Sequence, residues 1–282
     1  MKKLKVPTGR GVLLDGVLFG GGADTVMIAI TGIHGNFYSN PFYYNIGDTL
    51  NSGGIDFIYA QTNDAFGQIE TMNIHTKQPE MIGSWNERFE YTDDDIDAYL
   101  TYAEKLGYKH IILAGHSLGA NKVIYYLSRH HDERVEKFIL LSPANLTHMM
   151  SGVTDREKDY IRSEVEKGRG DRLLPFYFMG WVECIAYTAY DWLFGQLNNV
   201  HVERDGDFSQ AEKITHTGAL LIGTLDRFTY GDPSGFLRNI NDHIPTASQN
   251  KLIFIEGTGH TYQRKEQETA DELLKLMKNW GY

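Results

Sequence analysis

Gly115-His116-Ser117-Leu118-Gly119 follows the apolar run Ile111-Ile112-Leu113-Ala114 and precedes Asn121-Lys122-Val123-Ile124-Tyr125-Tyr126-Leu127. The run before reads as a buried strand, and the run after as a helix with one apolar face. A serine with a glycine two positions away on each side, between a strand and a helix, fits the G-x-S-x-G pattern of a nucleophile elbow. The reason is steric. A tight strand-to-helix turn strains the serine backbone, and only residues without bulk fit close on both sides. The turn lifts the hydroxyl above the sheet at a helix N-terminus. There, free N–H groups and the helix dipole favour developing negative charge. Glycine is common in this chain, so the strand–turn–helix context carries the reading and the bare pattern does not.

Outward from the elbow, strand-like and helix-like stretches alternate. Val12–Phe19 reads as one or two early strands with a turn near Asp15-Gly16. Thr25–Ile30, Ile55–Ala60, Val135–Leu141, Gly218–Leu225 and Lys251–Ile255 are apolar runs of the kind that suits parallel strands covered on both faces. Helices are expected over Pro41–Leu50, from Thr92 as N-cap to a stop at Gly107, and over Gln263–Trp280. The fold class is therefore α/β, a mostly parallel central sheet with helices on both faces. Thr62–Tyr91 reads as a long irregular stretch near the mouth of the site, carrying Phe66, Met72, Met81, Trp85 and Phe89. An ordinary surface insertion is the alternative there.

Composition shifts between Asn145 and Ala211. A charged helix is expected over Thr154–Lys167, then a block dense in aromatics that includes Phe176, Phe178, Trp181, Tyr187, Trp192 and Phe194. This reads as a helical cap: residues 146–211 inserted into a core made of residues 1–145 and 212–282. Phe178 and Trp181 of the cap, Trp85, and Phe37 and His116 beside the elbow are candidate substrate-binding residues. The aromatics would serve equally well as glue between cap and core.

Two more residues stand near strand ends. Asp226 follows Gly223-Thr224-Leu225, and His260 closes Gly257-Thr258-Gly259. A serine hydroxyl needs a base within hydrogen-bond reach, and that base needs an acid to fix its tautomer. Ser117, Asp226 and His260 are the candidate catalytic set, with Asp232 and Asp242 as more distant rivals for the acid. The loop Thr31-Gly32-Ile33-His34-Gly35-Asn36-Phe37 follows an early strand, where an oxyanion donor is wanted. The expected oxyanion N–H groups are those of Leu118 and Asn36, with Phe37 as fallback. His34 is expected to hydrogen-bond within its own loop.

The chain order Ser117, Asp226, His260, with His34-Gly35, resembles the serine-dependent α/β-hydrolase superfamily, in its esterase/lipase-like branch with a helical cap. The resemblance implies the α/β-hydrolase fold, Ser117 as nucleophile, His260 as base and then acid, and Asp226 as the orienting acid. It implies hydrolysis of a carboxylic ester through an acyl-enzyme, and no cofactor. An aromatic cap would suit an aromatic acyl ester or a bulky lactone such as a macrolide. Acyl transfer to another alcohol, C–C or peptide bond cleavage, and a non-catalytic ligand receptor on the same fold remain open at this stage.

Charge and cysteine usage narrow the partners. With 27 basic and 37 acidic residues, the formal net charge of -10 argues against a nucleic-acid surface or an anionic-membrane patch. Cys184 is the single cysteine, so no internal disulfide and no Cys-rich zinc site is expected. The three aspartates after Thr92 suit a helix N-terminus better than a metal. The first residues have a basic start without an apolar segment behind it, which argues against a signal peptide and makes the cytoplasm the default. The expected partner is a small-molecule ester, and the expected assembly a monomer or homodimer.

Overall fold

The computed structural model describes residues 1–195, 197 and 199–282; residues 196 and 198 of the expected cap lie outside the described residues. The strands are β1 (Lys2–Pro7), β2 (Leu13–Phe19), β3 (Thr25–Ile30), β4 (Asp56–Ala60), β5 (Ile69–Asn73), β6 (Gln78–Ile82), β7 (His110–His116), β8 (Val135–Leu141), β9 (Thr217–Gly223) and β10 (Lys251–Ile255). The α-helices are α1 (Phe42–Ser52), α2 (Tyr91–Leu106), α3 (Leu118–Arg129), α4 (Leu146–Met150), α5 (Asp155–Glu166), α6 (Ala186–Phe194), α7 (Pro233–Asp242) and α8 (Glu266–Asn279).

Eight strands form one sheet in the order β1-β2-β4-β3-β7-β8-β9-β10. Pairing is parallel from β4 through β10, and β1 and β2 add an antiparallel edge. Alternation along β3 explains the layering. Val26, Ile28 and Ile30 face one core with α2, α3 and α7, whereas Met27 and Ala29 face another with α1 and α8. Both faces of β3 are buried, as the continuous apolar run requires.

Several expectations need correction. No turn occurs at Asp15-Gly16: β2 runs straight through it, and the turn lies at Thr8–Val12, where Gly11 has φ 88°. Gly16 is instead a close-approach site, since a Cβ there would lie 3.2 Å from the Tyr59 carbonyl and the Tyr99 ring. The 62–91 stretch holds a hairpin of β5 and β6. Helix α2 starts at Tyr91 with Glu90 as N-cap, and Thr92 is buried within its first turn. The aspartates there have protein partners: Asp93 pairs with Arg129, and Asp94 and Asp95 pair with Arg10.

Between β8 and β9, α4, α5 and α6 share an apolar cluster that includes Leu146, Ile161, Phe178 and Trp192. A capping box at Thr154 and Glu157 starts α5. The aromatic block is helical only over α6; before it, isolated bridges join Leu173 to Ile185 and Phe178 to Val182. Val200, Phe208 and Ala211 leave this cluster and join the core beneath α3. Among the described residues, no helix is long and apolar enough to cross a membrane.

Candidate active site

The parallel strands end in register: Ile30 pairs with Gly115, His116 with Leu141, Leu141 with Leu221, and Gly223 with Ile255. Their following loops therefore converge on one edge of the sheet, where open α/β sheets place their ligands.

Ser117 stands between β7 and α3 at φ 55° and ψ -127°, a region that non-glycine residues rarely occupy. Two glycines make the turn possible. A Cβ on Gly115 would strike the Gly119 backbone, and one on Gly119 would strike the Ile30 carbonyl. A third glycine, Gly32, meets the elbow from the β3 loop: its Cβ would lie 2.9 Å from the Ser117 Cβ and 3.3 Å from the Leu118 nitrogen.

The Ser117 hydroxyl lies 2.8 Å from His260 Nε2, and His260 Nδ1 lies 2.8 Å from Asp226 Oδ2. The Asp226 side chain is fully buried and that of His260 is 19% exposed. The other carboxylate oxygen of Asp226 accepts the Phe228 N–H at 3.0 Å. Burial pushes the Asp226 carboxyl up, but the hydrogen bond and charge of His260 and the Phe228 N–H outweigh it. The group lies below its ordinary value. An ionised carboxylate accepts the proton on His260 Nδ1, which leaves Nε2 free to accept from Ser117. The Phe228 ring meets the His260 ring edge-on at 4.6 Å and packs against His148, whose Nδ1 contacts the Tyr230 hydroxyl at 2.7 Å.

The Asn36 N–H is not available as an oxyanion donor, because it donates to Ser39 Oγ at 2.9 Å. The fallback fails as well, since the Phe37 N–H donates to Gln61 Oε1 at 2.6 Å. Asn36 is closed into a turn with Ser39, and Phe37 is tied out of that turn to Gln61. The N–H groups of Leu118 and Ile33 are different: neither finds an acceptor among the described residues. Ile33 directly follows Gly32, the glycine that touches the elbow, and was missed in the sequence. The signal lay in choosing between two glycines, Gly32 and Gly35, in one loop.

The candidate binding residues separate. Phe178 is 1% exposed and packs on Trp192, so it is part of the core between α4, α5 and α6. His116 is 2% exposed, and its Nε2 donates to the His260 carbonyl at 2.8 Å; it lies behind the site and does not line it. Phe37 lines a groove of 520 Å³ with Phe66, Ile69 and Tyr38, and none of Ser117, Asp226 and His260 lines that groove. Trp85 joins the 62–91 stretch to the insertion, its carbonyl accepting the Ile185 N–H at 2.8 Å. Trp181 is 46% exposed and meets the His34 ring edge-on at 5.4 Å, over the loop that carries Ile33. His34 Nε2 reaches Ser84 Oγ at 2.7 Å, outside its own loop.

Lys122 of α3 is fully buried between Asp64 at 2.8 Å and Glu87 at 2.5 Å. One ammonium faces two carboxylates. Burial and the Asp64 charge raise the Glu87 carboxyl to about 8 against the pull of Lys122. The folded state thus holds a proton that the unfolded chain releases near the ordinary glutamate value. The resulting stability is present at low pH and is lost as pH rises towards about 8. Glu87→Gln should flatten the fall in melting temperature of the wild type between about pH 5 and 9. Thermal melts of the two proteins across that range provide the check.

The chain belongs to the alpha/beta hydrolase fold family, whose model matches residues 30–175. Solved structures with the same fold include ferulic acid-bound Est1E from Butyrivibrio proteoclasticus, at 16% identity and TM-score 0.66, covering 98% of each chain. Alpha/beta hydrolase GrgF from Penicillium sp. sh18 aligns at 15% identity and TM-score 0.68, over 99% of this chain and 96% of that one. A Paleococcus ferrophilus monoacylglycerol lipase aligns at 16% identity and TM-score 0.57, over 93% and 97%. At these identities the likeness is one of fold. No curated relative matches the chain by sequence.

Proposed function

We propose that this protein hydrolyses carboxylic esters through a serine acyl-enzyme. The observation that carries the reading is the continuous line of contacts from Ser117 Oγ to His260 to Asp226, each 2.8 Å. In this reading His260 takes the Ser117 proton as Oγ attacks the ester carbonyl. The oxyanion forms against the Leu118 and Ile33 N–H groups, each contributing about 3 kcal/mol to the transition state. His260 then protonates the leaving alcohol. Water, deprotonated by His260, attacks the acyl-enzyme, and His260 returns that proton to Ser117 Oγ as the acid leaves. Asp226 holds the imidazole and stabilises its cation throughout.

Residues 146–211 act as the cap in this reading. Ile33 and Leu118 support that role by packing against the same apolar cluster as α4, α5 and α6. The partly exposed Trp181 and the aromatic rim of Phe228, His148 and Tyr230 favour an apolar acyl or alcohol group, with aromatic acyl esters and bulky lactones first among them.

A fluorophosphonate probe should label wild type at Ser117, and a panel of esters graded in acyl size and aromaticity, with macrolide lactones included, should be turned over. Absence of labelling favours a receptor that has kept the fold. Transfer of the acyl group to added alcohol in preference to water favours an acyltransferase.

A further inference from the structure

We infer that His116 is a positioning residue for His260: its Nε2–H holds the main-chain carbonyl of the base from beneath the elbow. The inference rests on the reading of Ser117, His260 and Asp226 given above. His260 lies in a loop entered through Gly257, at φ 73°, and Gly259. That loop is fastened at Thr258, whose carbonyl accepts the Leu225 N–H at 2.8 Å and whose hydroxyl donates to the Gln263 carbonyl at 3.0 Å. The His260 carbonyl has one hydrogen-bond partner among the described residues, His116 Nε2 at 2.8 Å. Because a carbonyl only accepts, Nε2 must carry the proton, and His116 Nδ1 is left bare. Nδ1 is indeed buried without a partner.

The surroundings suit a neutral donor. The His116 ring is enclosed by Phe42, Tyr43 and Tyr262, with centroids at 4.8, 6.2 and 6.0 Å. The two imidazoles are 5.1 Å apart. A cationic His116 would oppose the imidazolium that His260 must become. Burial and the neighbouring His260 charge hold the His116 imidazole down to about 3, so it stays neutral at working pH. One tripeptide, Gly115-His116-Ser117, therefore presents the nucleophile upward and fixes the base from below, with no intervening residue to absorb an error.

His116→Leu removes the donor and keeps the apolar bulk. It should lower kcat by ~10–100-fold at unchanged KM, since small displacements of a catalytic group act on the chemical step. His116→Gln, whose amide reaches the same carbonyl without charge, should recover to within about threefold of wild type. Full kcat in His116→Leu, or equal losses in both variants, overturns the inference. If the leucine variant does not fold, the unmodified protein decides. Its 15N NMR spectrum should show His116 protonated at Nε2 alone from about pH 5 to 9, and an Nδ1–H tautomer or a cation in that range overturns it. Ser117→Ala, assayed alongside, separates the two failures. Hydrolysis surviving there removes the reading of Ser117, while the tautomer of His116 is still measured directly.

Discussion

Ser117→Ala is expected to lower kcat for ester hydrolysis on the order of 10⁶-fold and to abolish fluorophosphonate labelling. Among the described residues, Ser117 supplies the hydroxyl that contacts His260 Nε2. His260 Nε2 has Ser117 Oγ as its partner at 2.8 Å, and His116 is turned away to the His260 carbonyl. The variant keeps the fold. Alanine retains a Cβ, so the strain at φ 55° is unchanged, and the glycine contacts that shape the turn do not involve Oγ. A shift in stability within about 1 kcal/mol is expected, because one partly exposed hydrogen bond is removed. The measurement is turnover of an activated aryl ester by purified variant and wild type, with thermal melts of both. An intact fold with wild-type turnover would sink the assignment of Ser117, and with it the acyl-enzyme.

The elbow was legible because its constraints are local. Strand, turn and helix are contiguous, and Gly115 is required by a contact within the turn itself, although Gly119 answers to the Ile30 carbonyl of β3. The contacts of His260 with Ser117 and Asp226 were legible for a different reason. The chemistry demands an acid and a base in reach of the serine, and parallel strands deliver whatever follows them to the same edge. Helix α7 escaped the reading, although Asp232-Pro233 is an N-cap followed by proline at the first helical position. Strand β1 escaped because lysines dominate it, yet Leu4 and Val6 alternate into the core. In both, the signal was present and outweighed by composition.

The expected donors Asn36 and Phe37 failed for a reason of geometry. Thr31–Phe37 contains two glycines, and only a three-dimensional packing decides which one touches the elbow. Gly32 does so, whereas the Gly35 N–H closes a turn on the Gly32 carbonyl at 2.8 Å and sends Asn36 to Ser39. Phe178 and Trp181 of the aromatic block, and Trp85 of the 62–91 stretch, show the same limit. All three are large and apolar, but Phe178 fills the core while Trp181 is left half exposed over His34. Composition announces such a block; the pairing of one ring with another assigns each member. His116 was misplaced because adjacency to Ser117 in sequence suggested the pocket, while strand alternation turns the preceding side chain the other way.

Asp226→Asn is expected to lower kcat about 10⁴-fold near neutral pH while leaving the fold intact. The amide nitrogen can donate to His260 Nδ1, which moves the imidazole proton to Nε2. Nε2 then cannot accept from Ser117, and the nucleophile loses its base although every heavy atom stays in place. The remaining amide oxygen can keep the Phe228 N–H, now held at 3.0 Å, so the short helix after Asp226 retains its cap. The acid side of the stability profile gives a second readout. The Asp226 carboxyl lies below its ordinary value in the folded state, so its contribution is present above the unfolded value near 3.8 and is lost as pH falls through the folded one. Asparagine removes that dependence, and the difference in melting temperature between the two proteins should shrink below about pH 4. Asp232→Ala is the control for the rival acid. Asp232 caps α7 by accepting the Gly235 N–H at 2.7 Å, so the variant should lose roughly 1 kcal/mol of stability and keep kcat within a few-fold. Should the Asp232 variant lose kcat and the Asp226 variant keep it, the acid has been misassigned, because a tautomer can be fixed only by the carboxylate that touches Nδ1.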